Sequence, residues 1–337
     1  MSRTKTIQTQ TLAGFMEGRQ WIGHADEART YAGAVPREDA LALLSYPLAE
    51  GKVTVSLPII TDDGVETLTI DAPDRKAVVR TDTATIMGMF MSGYQIHQPA
   101  KWCLDNLDLI LDGGLEIGTV AVVKGGKLAM LQAELPESRI ATAPGAEPVA
   151  HRPQITAATS HDGSTSTLYG VGDRVLICEN QISVSGLSAF GFDAVTKIRH
   201  SSRSLSRVFE VRANLGLVVE EIGDAFDEQF RILCAQHVTD ARFEEIVQAF
   251  TGEAKAPEGR SKTIATNKAN ALRDLWRDDP RAAPWKNSAY GVLATFNTAQ
   301  NHILGADKGR TERNQQRTIE GKWETFDAGI LRLLQTA

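Results

Sequence analysis

Lys52 to Ile70 reads KVTVSLPIITDDGVETLTI. Valine, isoleucine and leucine alternate with serine and threonine on both sides of Thr61-Asp62-Asp63-Gly64, which is the pattern of half-apolar strands. Asp-Gly between two such runs signals a hairpin, because the tight turn needs positive φ. A β-hairpin is therefore expected here. A second is expected where Ile117 to Val123 and Lys127 to Glu134 flank Lys124-Gly125-Gly126. Between them, Lys76 to Asp82 reads as another strand and Thr85 to Met91 as a short apolar stretch.

Working outward, Pro36-Arg37-Glu38-Asp39 opens an apolar run from Ala40 to Leu48 and marks a helix N-terminus, after an irregular lead-in. Pro99 to Leu111 carries Trp102, Cys103, Leu107 and Ile110 at helical spacing and ends at Gly113-Gly114. Residues 136 to 155 hold four prolines and predict a surface connection. Thr165 to Tyr169 and Asp173 to Ser185 read as strands, with a buried centre at Val175 to Cys178. Beyond, Arg203 to Glu221, Ala225 to Gln236 and Ala241 to Phe250 have helical spacing, the last capped by Thr239-Asp240. A polar connection, Gly252 to Lys268, precedes a helix at Ala269 to Trp276 and a break at Asp279-Pro280. Two helices come last, at Ala289 to Leu304 and Arg310 to Leu334. Strands first and helices later predict an α+β fold, an antiparallel sheet with hairpins packed by helices from the second half. The expected organisation is a lead-in and helix (1 to 50), an α+β core (51 to 250) and a helical region (251 to 337).

Cys103, Cys178 and Cys234 are too scattered for a disulfide framework or a zinc ribbon. No run reaches the roughly eighteen apolar residues of a membrane span. The expectation is a cytoplasmic protein away from membranes. The net charge of −6 hides an asymmetry: residues 1 to 150 carry 13 Lys/Arg against 19 Asp/Glu, and residues 151 to 337 carry 23 against 23. Lys197 to Arg212 sets five bases against Glu210, a local +4, and Lys308 to Lys322 sets five against two, a local +3. Such clusters can form an electrostatic footprint, although solvated faces have the same composition.

Catalysis would have to start from His161-Asp162, Cys178, His200 or His237. Cys178 sits in a run that reads as buried, where thiols are inert. His161, Asp162 and His200 could contribute to a metal site, but no H-x-x-x-H or D-x-D spacing supports one. His161-Asp162-Gly163-Ser164 reads more simply as a turn. No glycine loop has phosphate-cradling spacing, so an ATPase is not indicated, and no cofactor is expected.

Five segments together resemble the family called domain of unknown function 932, also described as phage/plasmid-like proteins. They are RTDTATIMGMFMSGYQIH (Arg80 to His97), SHDGS (Ser160 to Ser164), RVLICENQI (Arg174 to Ile182), IRH (Ile198 to His200) and WKNSAYGVLATFN (Trp285 to Asn297). They occur in order across about residues 75 to 302. At the Arg174 segment the family pattern is closer to RVVCxNTL, and this chain departs from it at Glu179 and Gln181-Ile182. The resemblance implies a gene of a mobile element, hence work on nucleic acid, and no known reaction.

Lys197, Arg199, His200, Arg203, Arg207 and Arg212 are the candidate nucleic-acid contacts, cations mixed with serines that bond phosphate oxygens. If the chain is helical from Arg203, the arginines at 199, 203 and 207 share a face, with Ser201 or Ser202 as cap. The alternative is that they pair with Glu210, Glu220 or Glu221. Tyr94, Trp102 and Tyr169 are possible stacking platforms or core. The leading expectation is a non-enzymatic single-stranded DNA-binding protein, possibly strand-annealing, assembled as a homo-oligomer with acidic halves facing basic ones. Its rivals are a factor binding a host protein to counter restriction or defence, and a metal-dependent nuclease.

Overall fold

The computed structural model describes residues 9–15, 28–61, 64–107, 114–176, 181–182, 195–204, 206, 208, 219–306 and 308–336. Within them the chain has an α+β fold, with strands concentrated in the first half and helices in the second.

The expected hairpin forms from β3 (Leu48–Thr61) and β4 (Gly64–Arg80), paired from Leu48↔Arg80 to Thr61↔Gly64. The separate strand expected at Lys76 to Asp82 is the far end of β4. It pairs with β5 (Thr85–Met91) to complete a three-stranded sheet in the order β3-β4-β5. Ahead of it, α1 (Arg37–Leu44) starts after Pro36, with Glu38 and Asp39 in its first turn and Ala40 and Leu44 buried.

The larger sheet has nine strands. The second expected hairpin, β6 (Glu116–Val123) and β7 (Leu128–Glu134), lies at its centre. β1 (Gln10–Ala13) and β2 (Ala28–Thr30) extend it beyond β6. Beyond β7 come β9 (Val149–Ser160), β10 (Thr167–Val175) and β11 (Gln181–Ile182), while β8 (Arg139–Ala141) pairs with β9 and β12 (Val195–Ile198) with β10.

Residues 136 to 155 are thus not all connection, since a strand begins at Val149. Pro153 is tolerated because its missing N–H falls beyond the end of β7: Glu134 pairs with Gln154, and the Pro153 carbonyl accepts from Leu135 N. Likewise Thr167 to Val175 is one strand rather than parts of two. Cys178 lies outside the described residues.

The helices are α2 (Val219–Ala235), α3 (Asp240–Thr251), α4 (Arg260–Asp278), α5 (Ala289–Thr298), α6 (Arg310–Glu320) and α7 (Lys322–Thr336). Thr239 caps α3 as expected, accepting from Arg242 N at 3.1 Å. Three expectations fail. α2 runs unbroken through Gly223, where a break was expected; the glycine makes room for Arg139, which any side chain there would strike. Residues 260 to 268 are helix, not connection: the buried stripe starts at Ala265 and Ala269, too small to register as amphipathic. The single helix expected from Arg310 to Leu334 is two, broken at Gly321 with φ 68°.

Side chains alternate across the large sheet. One face, carrying Val120, Leu131, Ile155, Ala157 and Tyr169, packs on α1 and on a π-helical turn at Ala100–Asp105 that buries Trp102 and Cys103. Further along the sheet, Ala141, Val149 and Val175 join the core of α2 to α5 and α7. The other face, with Ala121, Val123, Leu128, Met130, Ala158 and Leu168, is capped by Ile319 of α6.

Candidate nucleic-acid interface

β12 places the basic segment. Ile198 points into the core, which turns Lys197 the other way, and the register pairs Lys197 with Leu168. Cross-strand partners share a face. Leu168 packs on Ile319, so Lys197 lies on the sheet face that α6 covers. Arg199 follows the strand and Arg203 sits in a turn; helix is assigned at the described residues Ser204, Ser206 and Val208, so the expected helix begins just after Arg203 and Arg199 does not share a helical face with it. The Ser204 hydroxyl closes that turn, donating to the Arg199 carbonyl at 2.7 Å, in place of a cap from Ser201 or Ser202. Lys197, Arg199 and Arg203 are exposed and have no carboxylate partner among the described residues. Arg207 and Arg212 lie outside them.

α6 brings the second basic stretch to the same side. Thr311, Asn314, Gln315 and Ile319 form its buried stripe. Arg310, Arg313 and Arg317 donate to the carbonyls that end the preceding helical segment, at Ile303, Ala306, Lys308 and Gln300. Carbonyls accept these protons without neutralising the charge. The Arg317 guanidinium is held below its ordinary pKa by burial first and by Arg313 second. Lys197 of the first basic stretch and helix α6, which carries the second, therefore lie on one face of one sheet, although they are more than a hundred residues apart in sequence.

His200 goes elsewhere. It turns to the opposite face, into a column of rings in which Phe90 stacks on Tyr94 (3.9 Å between centroids), Tyr94 on His200 (4.6 Å), His200 on His97 (3.8 Å) and His97 on Trp102 (3.6 Å). His161 meets His200 edge-on at 5.8 Å. The Thr167 hydroxyl is the hub, 2.6 Å from His97 Nδ1, 2.8 Å from Thr159 Oγ1 and 3.2 Å from His200 Nε2.

The partners fix the tautomers. His200 Nδ1 and His161 Nε2 face the carbonyls of Gln95 and His97, both at 3.0 Å, and must donate. Burial, aided by the neighbouring rings at His97 and His161, pulls the imidazoles down: His97 to about 2, His161 to about 3 and His200 to about 4. The cluster is neutral at physiological pH. His97 Nε2 and His161 Nδ1 have no hydrogen-bond partner among the described residues.

Among the described residues His161, Asp162 and His200 do not assemble a metal centre. Asp162 accepts from Ser164 N at 2.9 Å and Gly163 has φ 80°, so His-Asp-Gly-Ser is the turn expected of it. Among the described residues, no group of three or more His, Cys, Asp or Glu side chains is placed to hold a metal ion. His237 is exposed beside Ser288, in a different part of the molecule. Trp102 and Tyr169 are buried, with the Tyr169 hydroxyl donating to the Trp102 carbonyl at 2.7 Å, which removes both as stacking platforms.

A second buried cluster had no sequence signal. His151 bridges Asp173 (Nδ1 to Oδ2, 2.8 Å) and Asp227 of α2 (Nε2 to Oδ1, 2.9 Å), and Arg139 joins Asp227 at 2.8 Å. Burial raises Asp173 to about 6 despite its histidine partner. The cluster ties α2 to the sheet.

Of the five segments quoted from the sequence, three meet at the ring column, through Phe90, Tyr94 and His97, through His161, and through His200. The arginine of the fourth, Arg174, is buried and reaches across three strands, its Nη2 donating to Thr119, Gln132 and Gln154 at 3.2 to 3.3 Å. The fifth segment supplies Ser288, which caps α5, and Asn297, which donates to Asp327 at 2.9 Å.

The fold defines a class: an α+β protein whose signature residues are mostly internal and whose basic segment at Lys197, Arg199 and Arg203 is exposed. The chain belongs to the family described as Domain of unknown function (DUF932), whose model matches residues 86–322. No curated protein and no solved structure matches it. Among the described residues no helix is long and apolar enough to cross a membrane.

Proposed function

We propose that this chain is a phage- or plasmid-associated protein that binds single-stranded DNA through the phosphate backbone, without chemistry of its own, as a strand-annealing factor would. The observation that carries the reading is that Lys197 and helix α6, which bears Arg313 and Arg317, lie on the same face of the large sheet, with Arg199 and Arg203 following β12. Exposed cations without carboxylate partners among the described residues, as Lys197, Arg199 and Arg203 are, are available to phosphates. Rings that would stack on bases are instead inside the protein, so the contact is to backbone and independent of sequence.

Fluorescence anisotropy of a labelled oligothymidylate across a salt series tests this. Affinity should fall with salt, with a log–log slope of about −0.7 per phosphate neutralised. Lys197→Ala/Arg199→Ala/Arg203→Ala should flatten that slope by about 2. Absence of binding at low salt would sink the reading, and preference for duplex would remove annealing from it.

A further inference from the structure

The outer part of the β3–β4 hairpin has no cover among the described residues. From Thr54 to Thr61 and from Gly64 to Asp71 it is a two-stranded ribbon, since β5 pairs only with Arg75 to Arg80. At its foot the register breaks between Lys52 and Thr54, which separates ribbon from root. The pairings Val55↔Ile70, Leu57↔Leu68 and Ile59↔Glu66 put five apolar side chains on one face; Thr54↔Asp71, Ser56↔Thr69, Pro58↔Thr67 and Ile60↔Val65 form the other, which is polar at its foot and apolar at its tip. All five are exposed, and Ile60 and Val65 near the tip are 90% and 75% exposed. An isolated two-stranded ribbon is marginal in water, and a contiguous apolar face marks an interaction site.

Charge selects the occupant. Val53 to Asp74 contains Asp62, Asp63, Glu66, Asp71 and Asp74 and no lysine or arginine, a net −5. Nucleic acid and anionic membrane would be repelled. Pairing of two arms would set five acids against five. The occupant must be apolar and cationic.

The chain's own body has such a surface. On β5, an edge strand, Ile86, Met89 and Met91 are more than half exposed. Phe90 of the same strand stacks on Tyr94 and Tyr94 on His200, so β5 lies beside the segment that displays Arg199 and Arg203.

We propose that the acidic, apolar β3–β4 arm of one copy of this chain docks on the β5 edge of a second copy, with Arg199 and Arg203 beside it. Giving and receiving use different surfaces, so copies can exchange arms about a two-fold axis or pass them head to tail into a ring or a filament. Methionine edges adapt to such a ligand. The contact forms on the side of the ring column and shares Arg199 and Arg203 with the proposed phosphate strip, leaving Lys197 and α6 uncovered on the opposite face. It stands whether or not the chain binds DNA.

Sedimentation velocity on the full chain and two double variants tests it. Wild type should sediment as an oligomer. Leu57→Glu/Leu68→Glu, which spoils the arm, and Met89→Glu/Met91→Glu, which spoils the receiving edge, should each fall to the 36.6 kDa monomer with unchanged circular dichroism. Mixed together they should form a one-to-one complex, because one intact arm and one intact edge remain. A wild type that stays monomeric at tens of micromolar, variants that stay oligomeric, or a mixture that stays monomeric would each overturn the proposal.

Discussion

The nine-stranded sheet is covered on both faces, whereas the three-stranded sheet has no cover over its outer half among the described residues. Both are built from similar short runs of valine, isoleucine, leucine and threonine, and both contain a hairpin that the sequence marks. The difference lies in the elements that surround each hairpin. β6 and β7 are flanked by strands whose helices return over them, so Leu131 is fully buried. The outer ribbon of β3 and β4 pairs with no further strand, and Leu57, also a strand leucine, is 44% exposed. Identical residues in identical secondary structure thus contribute to folding in one place and are left for association in the other.

The sharpest way to break this comparison is to truncate one leucine. Leu131→Ala should cost about 2–5 kcal/mol, transfer and cavity terms together. A urea titration measures it, and a loss below 1 kcal/mol would mean that the central sheet is far less tightly packed than its burial shows.

Acid should act on the covered sheet next. Its three column histidines have folded pKa values below the ordinary 6.5, so the folded state is stabilised by their neutrality above that pH. The stabilisation is lost as pH falls from about 6.5 toward 4, because the unfolded chain binds the protons first. Asp173, raised to about 6, acts in the opposite sense: between about 4 and 6 the folded state holds its proton more tightly. At about 1.4 kcal/mol per pH unit for each group, three against one leaves a net loss of roughly 2–3 kcal/mol per unit. Urea midpoints at pH 6.5 and 5 should differ accordingly. Thr167→Val should weaken that dependence by removing the hub hydroxyl, and an unchanged slope would show that the column does not titrate as a unit.

How far the sequence reaches is clear from particular residues. Asp63-Gly64 and Lys124-Gly125-Gly126 locate both hairpins because turn chemistry is local, and Thr239 locates a helix start for the same reason. β9 is hidden by Pro148 and Pro153, whose acceptability depends on where β7 happens to end. The first turns of α4 are hidden by alanines, and the buried stripe of α6 by Asn314 and Gln315, which read as solvated. At the site, Lys197, Arg199 and Arg203 are exposed cations, as their sequence suggests. His200 is misread because its role is set by Tyr94 and His97, a hundred residues earlier. His97, Thr159 and Thr167 carried no individual signal, although His97 closes one of the quoted segments. Ring columns are made by topology, and no spacing rule finds them.

The smallest expected effect sharpens the comparison from the other side. Val55→Thr and Ile70→Thr keep β-branched shape at the paired positions of the arm and replace a methyl (Val55) or an ethyl group (Ile70) by a hydroxyl where water already reaches. Measured at concentrations low enough to keep the chain dissociated, each should change unfolding free energy by less than about 0.5 kcal/mol, the ordinary range for surface substitutions. At higher concentrations the cost should grow, because assembly is linked to folding by mass action and the altered face no longer rewards it. A loss above 1.5 kcal/mol in the dilute chain would mean that this face is covered from within one molecule, and the arm would then belong to the core rather than to a neighbour.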